Sequence, residues 1–339
     1  MKPQVIILTE GSHKYGLGHV ARMRALTEAF EEKNFKVHLL VDGDKSVDSI
    51  LKGTDYTLFP WKDSFPELEN TIRDKIVIID SYTAGEEIYK QVSKLAGIKL
   101  YFDDFIRLNY PSGVVVNPTL GAEELKYPKS KDITYLLGPK YLPLRKPFWK
   151  EPQKTFGKGI NRILVQFGGD DIKGASPTVT EFLARNYPSV EINVVVGKAF
   201  KNSTVERLKA LKEKFSNVNL YYAPSGEEIA RLMTEADIGV VAAGLMTVYE
   251  ALSRGLPLIT VITMENQVDV LNRLISKNLV FNAGWFNDEN LFKNIVRYIN
   301  LLTPPEERKR FFLLGRSVVD GKGAPRLVQF VENLLKNQN

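Results

Sequence analysis

The chain lacks cysteine, has only three histidines and contains no long apolar run. Without cysteine, neither a disulfide nor thiolate chemistry is available, and a zinc site built from cysteine and histidine clusters is excluded. The apolar run at 5–8 is too short for a signal peptide, and no run has the length of a membrane-spanning helix. We therefore expect a cytoplasmic protein with no integral membrane segment and no metal.

The charge balance also lacks a strong excess of one sign. Lysine and arginine total 46 against 40 acidic residues, which gives a net charge of +6. The basic residues are spread along the chain and do not form the stripe typical of a nucleic-acid-binding protein. A mild positive charge suits an anionic small molecule, so we expect a nucleotide sugar rather than nucleic acid as the partner.

Two common nucleotide-binding motifs are missing. The chain has no GxxxxGK[ST] phosphate loop, which argues against a P-loop ATPase or GTPase. The run Gly16-Leu17-Gly18-His19 lacks the third glycine of the dinucleotide fingerprint, which disfavours a nicotinamide enzyme. We expect no bound cofactor.

Short β-rich runs alternate with amphipathic helical stretches along nearly the whole chain, which predicts parallel sheets. At 339 residues the chain is long enough for two domains. We predict an α/β protein in which two doubly wound (Rossmann-like) domains face a cleft. The predicted first domain, with the histidine loop, covers 1–150, and the second, nucleotide-binding domain covers 158–320. The proline-rich segment 138–159 is predicted as their connection, and 321–339 as a terminal helix that can pack back on the first domain.

Individual elements follow from apolar periodicity. The predicted strands lie at 5–8, 37–41, 57–59, 76–80, 99–102, 114–117, 134–137, 162–166, 191–196, 218–222, 238–242 and 258–261. The predicted helices lie at 20–32, 85–95, 205–215, 227–234, 247–254, 267–277 and 325–336.

The motif that runs from Gly16 through His19 to Arg22 joins the first strand to the first helix. Open α/β sheets bind ligands at this edge, and helix N-termini there favour anions. His19 is therefore a candidate catalytic residue, with Gly16, Gly18 and Arg22 beside it. The alternative is a loop histidine next to glycines that serve only turn geometry.

A second loop, Gly244-Leu245-Met246-Thr247, leads from a strand into a helix in the other half. Gly244 lets the backbone approach a diphosphate, to which the helix-terminal amides and the hydroxyl of Thr247 donate hydrogen bonds. Glu250 then accepts from the two ribose hydroxyls. Its spacing from Thr247 equally fits a capping box.

Weaker candidates surround these two loops. Gly168 and Gly169 follow a strand and either admit a ligand or form a tight turn. Asn266 and Gln267 suit phosphate or sugar hydroxyls, although Asn266 equally suits a helix N-cap. Arg145, in the predicted connection, either bridges sugar or phosphate or packs on the surface.

Taken in order, these motifs resemble the UDP-2,4-diacetamido-2,4,6-trideoxy-β-L-altropyranose hydrolases of pseudaminic acid biosynthesis and the related spore-coat polysaccharide proteins, which are of GT-B type. The resemblance covers almost the full length. It rests on the motifs above together with Leu26, Asp80-Ser81-Tyr82, Phe102-Asp103-Asp104, Asn117-Pro118, Gly138-Pro139, Tyr141, Leu144, Phe148, Phe167, Asp170-Asp171, Asp320-Gly321-Lys322-Gly323 and Arg326.

The resemblance implies hydrolysis of a UDP-linked amino or deoxy sugar to UDP and free sugar, with His19 as the catalytic base. An imidazole with a pKa of about 6.5 suits proton transfer at neutral pH without a metal. Asp80 and Tyr82 end a strand at the same edge, and we expect Tyr82 to orient the histidine or the water. Asp104 is expected at the substrate, and one of the adjacent pair with Asp103 is expected to be structural, since neighbouring side chains on an extended chain point to opposite faces.

Two departures from the family pattern leave other functions open. Leu245 and Met246 stand where many relatives have small hydroxyl residues, and Asp170 stands where serine or threonine is common. The loop at 244–247 is also similar to that of the GlcNAc transferase that makes lipid II. The alternatives are a GT-B glycosyltransferase with a UDP-amino sugar donor and a non-catalytic nucleotide-sugar binding protein. The sugar and the oligomeric state stay open.

Overall fold

A computed structural model describes residues 3–12 and 16–337 of the chain. The chain divides into two compact units: the first comprises Met1–Trp149 and Gly321–Asn339, and the second comprises Lys150–Asp320. Leu144 and Phe148 are fully buried, and Trp149 packs against the core of the first unit. The connection between the units is therefore shorter than the predicted segment 138–159.

The first unit contains one parallel sheet, whose strands in the described residues are β1 (Val5–Gly11), β2 (Val37–Gly43), β3 (Tyr56–Leu58), β4 (Ile76–Asp80), β5 (Ile98–Phe102), β6 (Gly113–Asn117) and β7 (Ile133–Leu137). Their order is β3-β2-β1-β4-β5-β6-β7, and neighbouring strands are parallel. The order reverses between β1 and β4. Ligands of open α/β sheets bind at such a reversal, outside the carboxyl ends of the strands.

The second unit repeats this plan with strands β8 (Arg162–Gln166), β9 (Glu191–Val196), β10 (Val218–Tyr222), β11 (Ile238–Ala242), β12 (Leu258–Ile262) and β13 (Phe281–Trp285). Their order within the described residues is β10-β9-β8-β11-β12-β13, again parallel throughout. Here the reversal falls between β8 and β11.

Helices connect the strands of both units. They are α1 (Gly18–Glu32), α2 (Asp48–Leu51), α3 (Glu69–Ile72), α4 (Glu86–Leu95), α5 (Ala175–Asn186), α6 (Asn202–Lys214), α7 (Gly226–Glu235), α8 (Leu245–Ser253), α9 (Val268–Ser276), α10 (Leu291–Leu302), α11 (Pro305–Val318) and α12 (Gly323–Asn337). In the part of the chain that the structure describes, no helix is both long enough and apolar enough to cross a membrane.

The sequence at 5–8 in β1 is continuously apolar because the strand is buried on both faces of the sheet. Val5 and Ile7 face the core that α1 and α12 cover, whereas Ile6 and Leu8 face the opposite core around Trp61. A strand buried on both faces is read as a continuous apolar run. The run therefore predicts a central strand, and β1 is central.

The last helix belongs to the first unit. Leu327 and Val331 of α12 are fully buried in the same core as α1. α12 begins at Gly323, where a Cβ atom would lie 2.0 Å from the carbonyl oxygen of Leu142, so only glycine allows this close approach.

The predicted fold class, two doubly wound parallel-sheet domains, is confirmed. Each predicted strand overlaps an observed strand, and each predicted helix overlaps an observed helix. The predictions lack six of the elements named above: β13 and the helices α2, α3, α5, α10 and α11.

Candidate active site

The histidine loop lies where the strand order of the first sheet reverses. β1 leads into an isolated antiparallel bridge between Ser12 and Gly16, and α1 begins at Gly18, so His19 lies in the first turn of that helix. Gly16 has a φ of +82°, a conformation that favours glycine. The turn explains Gly16, and the predicted substrate contacts of Gly16 and Gly18 stay predictions.

Asp80, the last residue of β4, holds the histidine ring. Its Oδ1 lies 2.7 Å from Nδ1 of His19. Asp80 is fully buried and His19 is 7% exposed. The hydroxyl of Thr9 donates to the carbonyl oxygen of Asp80 at 3.1 Å, which fixes the end of β4 to β1. The His19–Asp80 pair is thus part of the sheet edge.

Arg22, one turn further along α1, holds Asp80 from the other side. Its Nε donates to Oδ2 of Asp80 and its Nη2 to Oδ1, both at 2.5 Å. Nη1 donates to both carboxylate oxygens of Asp104, at 2.9 and 3.1 Å. The guanidinium is buried and already engaged by two carboxylates. In this geometry Arg22 supports the site, and its predicted substrate contact stays a prediction.

The charges at the site fix the tautomer of His19. Burial raises the pKa of Asp80, but the charges and hydrogen bonds of Arg22 and His19 outweigh burial and lower this pKa from 3.8 to about 2. Because an ionised carboxylate only accepts hydrogen bonds, the proton of the neutral imidazole lies on Nδ1. Nε2 therefore carries the lone pair, and it has no hydrogen-bond partner among residues 3–12 and 16–337.

Tyr82 forms a wall beside the histidine. The two ring centroids lie 4.3 Å apart with an interplanar angle of 86°, an edge-to-face contact. The hydroxyl of Tyr82 donates to Oδ2 of Asp104. Burial and the negative charge of Asp104 raise the pKa of Tyr82 well above its ordinary value of 10, so the phenol stays protonated. Tyr82 can therefore orient groups but cannot act as a base.

The adjacent carboxylates at the end of β5 have different surroundings. Asp103 is 2% exposed and accepts hydrogen bonds from the backbone amides of Asp104, Ile106 and Arg107 and from the hydroxyl of Tyr127, the last at 2.6 Å. Asp103 is thus the structural member of the pair. Asp104 faces the histidine cluster, and its predicted substrate contact stays a prediction.

The second predicted loop lies at the reversal point of the second sheet. Gly244 precedes α8 and has ordinary backbone angles, φ −72° and ψ 131°, and no side chain caps this helix. The first-turn amides, those of Leu245, Met246 and Thr247, lack carbonyl partners within the helix. A Cβ atom added at Gly244 would meet no atom within 4 Å. Neither packing nor backbone strain therefore requires glycine here.

Glu250 is buried in the middle of α8, with 5% exposure. Because α8 begins at Leu245, Thr247 lies inside the first turn and is not the N-cap. The capping box that the spacing of Thr247 and Glu250 suggested is wrong for this reason. The predicted ribose contact of Glu250 stays a prediction.

The loop after β8 differs from the one after β11. Gly168 has a φ of +77°, so the turn itself favours glycine there, and the predicted substrate contacts of Gly168 and Gly169 stay predictions. Asp171, which is buried, accepts from the backbone amides of Ala175 and Ser176 at 2.8 and 2.9 Å. The N-terminus of α5 is therefore occupied by a carboxylate of the chain itself, unlike that of α8.

Gln267 closes the loop after β12. Its Oε1 accepts from the backbone amides of Thr263 and Met264 at 2.9 and 3.4 Å, which caps the 3₁₀ turn Glu265–Gln267. The N-cap is Met264, so the N-capping alternative for Asn266 is wrong. Asn266 itself is exposed. The predicted contacts of both residues with phosphate or sugar stay predictions.

Arg145 belongs to the first unit. It precedes the 3₁₀ turn Lys146–Phe148, and its guanidinium lies 5.4 Å from the centroid of the Phe148 ring. This packing matches the structural alternative given for Arg145, and its predicted contact with sugar or phosphate stays a prediction.

Glu10 is a charged residue of this site that the sequence predictions miss. It lies in β1, is 1% exposed, and its Oε1 accepts from the backbone amide of Tyr82 at 2.7 Å. The available signal is its position just beyond the apolar run 5–8, near the carboxyl end of β1, where parallel strands present ligand-facing residues. In the described residues, no group of three or more histidine, aspartate or glutamate side chains could hold a metal ion.

Solved structures share this architecture along their whole length. MurG from Acinetobacter baumannii has a TM-score of 0.69 at 14% identity, covering 98% of this chain and 100% of MurG. CalG4, the calicheamicin glycosyltransferase, has a TM-score of 0.63 at 12% identity, covering 99% of both chains. UDP-GlcNAc 2-epimerase from Neisseria meningitidis, bound to UDP-GlcNAc, has a TM-score of 0.59 at 14% identity, covering 98% of this chain and 100% of the epimerase. The fold is GT-B.

This chain is also similar in sequence to two curated proteins. No family model matches it. The uncharacterized protein MJ1062 of Methanocaldococcus jannaschii is 29% identical over 288 residues, which are 81% of this chain and 58% of MJ1062. The spore coat polysaccharide biosynthesis protein SpsG of Bacillus subtilis is 23% identical over 349 aligned residues, 98% of each chain. The chain thus spans little more than half of the archaeal relative and nearly all of SpsG.

Proposed function

We propose that the protein is a nucleotide-sugar hydrolase, which cleaves a UDP-linked amino or deoxy sugar to UDP and the free sugar in surface-glycan or nonulosonic acid biosynthesis. The observation that carries this proposal is the buried His19–Asp80 pair at the reversal point of the first sheet. Nδ1 of His19 is held 2.7 Å from an ionised carboxylate, and Nε2 has no partner in the described part of the chain. An imidazole held in this way is suited to act as a general base.

The chemistry follows from these two groups. A water molecule attacks the anomeric carbon while Nε2 of His19 takes one of its protons. The bond between that carbon and the phosphate oxygen breaks, and the electron pair leaves with UDP. Asp80 stabilises the imidazolium that forms, and the proton then passes to solvent or to the released phosphate. The reaction consumes one water and needs neither an oxidant nor a metal.

The second unit supplies features that suit the nucleotide. The uncapped first turn of α8 and the hydroxyl of Thr247 offer donors to a diphosphate, and the space beside Gly244 allows its close approach. Glu250, buried one turn further along, accepts from the ribose hydroxyls. The Neisseria GT-B epimerase is bound to UDP-GlcNAc, which agrees with a UDP-sugar as ligand. The SpsG relationship agrees with a role in polysaccharide synthesis.

The test is a panel of UDP-sugars incubated with the purified protein without an acceptor. The panel contains UDP-linked acetamido sugars, their 6-deoxy forms and UDP-glucose, and released UDP is quantified by chromatography. We expect UDP release from an amino or deoxy sugar, and a loss of at least about 100-fold in His19→Ala. His38→Gln is the matched control, since His38 pairs instead with Asp55.

Two outcomes contradict hydrolysis. UDP release that requires an added glycan or lipid hydroxyl identifies a glycosyltransferase, in which His19 activates the acceptor. UDP-sugar binding without turnover of any sugar, with or without an acceptor, identifies a binding protein.

A further inference from the structure

Glu10 is a buried, heavily hydrogen-bonded carboxylate at this sheet edge that lies outside the His19–Asp80 pair. It lies opposite Asp42 in the pairing of β1 with β2 and is 1% exposed. A buried carboxylate is costly unless hydrogen bonds and a cation compensate it. Glu10 has both kinds of partner, and three of them are consecutive residues.

The partners of Glu10 come from the turn that follows β4. Its Oε1 accepts from the backbone amide of Tyr82 at 2.7 Å. Its Oε2 accepts from the hydroxyls of Ser81 and Thr83, at 2.6 and 2.5 Å. The hydroxyl of Ser81 in turn accepts from the backbone amides of Thr83 and Ala84, at 3.1 and 3.0 Å. One carboxylate of β1 thus ties down the whole turn at 81–83.

A lysine completes the charge balance. Nζ of Lys62 lies 2.9 Å from Oε2 of Glu10 and 3.1 Å from Oδ2 of Asp42. Burial raises the pKa of Glu10, but the hydrogen bonds from Ser81, Thr83, Lys62 and Tyr82 outweigh it, and the net pKa is lowered. Glu10 is therefore an ionised acceptor at neutral pH, and every one of its partners donates.

The turn at 81–83 carries the wall of the candidate active site. Tyr82 is 46% exposed, and its backbone amide is held by Glu10. Its ring nevertheless keeps the edge-to-face contact with His19 at 4.3 Å. Holding a half-exposed tyrosine on a turn in one orientation costs side-chain and backbone conformational entropy. A fixed backbone removes the second of these costs.

We propose that Glu10 is a positioning residue, which fixes the turn at 81–83 so that Tyr82 confines His19 to the orientation with Nδ1 toward Asp80. This inference rests on the proposed function for its effect on turnover, but its effect on the His19 ring does not depend on that function. Glu10 contacts neither the histidine nor the substrate in this scheme. It acts through Tyr82.

The test uses a structural signal and a kinetic one. The chain has three histidines, so the ring resonances of His19 can be assigned by NMR with His13→Gln and His38→Gln variants. Tyr82→Ala removes the neighbouring ring and gives the shift of an unconfined His19. We expect Glu10→Gln to move the His19 Hε1 resonance toward the Tyr82→Ala position. We also expect it to lower kcat about 10- to 100-fold with KM changed less than about threefold, a size typical of misplaced catalytic groups.

Controls separate positioning from general damage. Glu67→Gln changes an exposed glutamate of the same unit and leaves both signals unchanged. If Glu10→Gln does not fold, Thr83→Val removes one donor to Glu10 at an exposed position and shows a smaller shift in the same direction.

The outcomes are distinguishable from failure of the proposed function. A wild-type His19 resonance in folded Glu10→Gln overturns the positioning role, whatever the activity. A shifted resonance in a protein that hydrolyses no UDP-sugar retains the positioning role and removes the hydrolase. A shifted resonance with unchanged kcat shows that the orientation of His19 does not limit turnover, and it overturns the kinetic part of the proposal.

Discussion

Oδ1 of Asp80 and Nδ1 of His19 lie 2.7 Å apart although the two residues are separated by 61 positions in the chain. The contact exists because β4 pairs directly with β1, which brings the end of one strand to the helix that follows the other. The bidentate contact with Arg22 keeps this buried carboxylate charged and fixed. This contact makes Nε2 the basic atom of the ring.

Replacing Asp80 with asparagine should lower stability in a pH-dependent way. The pKa of Asp80 is lowered from 3.8 to about 2 in the folded protein, so its ionised form stabilises the fold above about pH 4. That stabilisation, about 2 kcal/mol, is lost as the pH falls through 2. The deficit of Asp80→Asn in the free energy of unfolding should therefore be largest at neutral pH and narrow between pH 4 and 2.

Urea unfolding of the first unit measures this deficit. Trp61 is fully buried and donates to the carbonyl oxygen of Thr9 at 2.7 Å, so its fluorescence reports on the site. A Trp285→Phe background removes the tryptophan of the second unit. Asp63→Asn, at an exposed position of the first unit, is the control. A deficit that is the same at pH 7 and pH 3 contradicts the role of ionised Asp80.

Tyr82 should act through its ring more than through its hydroxyl. Tyr82→Phe keeps the edge contact with His19 and loses only the hydrogen bond to Asp104, so we expect less than about a tenfold loss of kcat. Tyr82→Ala removes the wall and should cost more than tenfold. Steady-state kinetics of the two variants decide this. An equal loss in both would mean that the hydroxyl itself takes part in the reaction, contrary to this account.

Glu250→Gln should weaken UDP binding without changing the first unit. If the carboxylate accepts from both ribose hydroxyls, its neutralisation costs about 1.5–3 kcal/mol, roughly a 10- to 100-fold rise in the Kd of UDP. Titration calorimetry measures the Kd, and thermal unfolding checks that the buried substitution leaves the fold intact. Glu265→Gln, at an exposed position, is the control and should not change the Kd. An unchanged Kd in folded Glu250→Gln removes the ribose role.

Apolar runs predict most of the strands because buried strands of parallel sheets need them on both faces. β13 escapes this rule. Its residues include Asn282 and Gly284, four of its five positions are only half-buried, and its pairing with β12 is irregular between Thr260 and Ile262. α11 is missed for a different reason. Its first turns carry successive charged residues, and its few buried positions, such as Phe311, do not give a clear helical periodicity of apolar residues.

The candidate site divides in a similar way. His19, Asp80 and Tyr82 are predictable because each lies at or just after the end of a predicted strand, which places it at the carboxyl edge of a parallel sheet. The partners of Arg22 are not predictable, because only the pairing of β4 with β1 and of β5 with β4 brings Asp80 and Asp104 to one guanidinium. Glu10 is missed because a charged residue after an apolar run normally means the strand has reached solvent. Its burial depends on Lys62, 52 positions away.

The central claim, that His19 activates water for attack at an anomeric carbon, is tested most directly by hydrolysis in ¹⁸O-labelled water without an acceptor. The mass of the released UDP shows which bond breaks. The account predicts unlabelled UDP from the wild-type protein, because the new oxygen enters the sugar, and at least a 100-fold slower release from His19→Ala, as for removal of a general base (about 10²–10⁴). Label in the UDP, or unchanged release by folded His19→Ala, would contradict it.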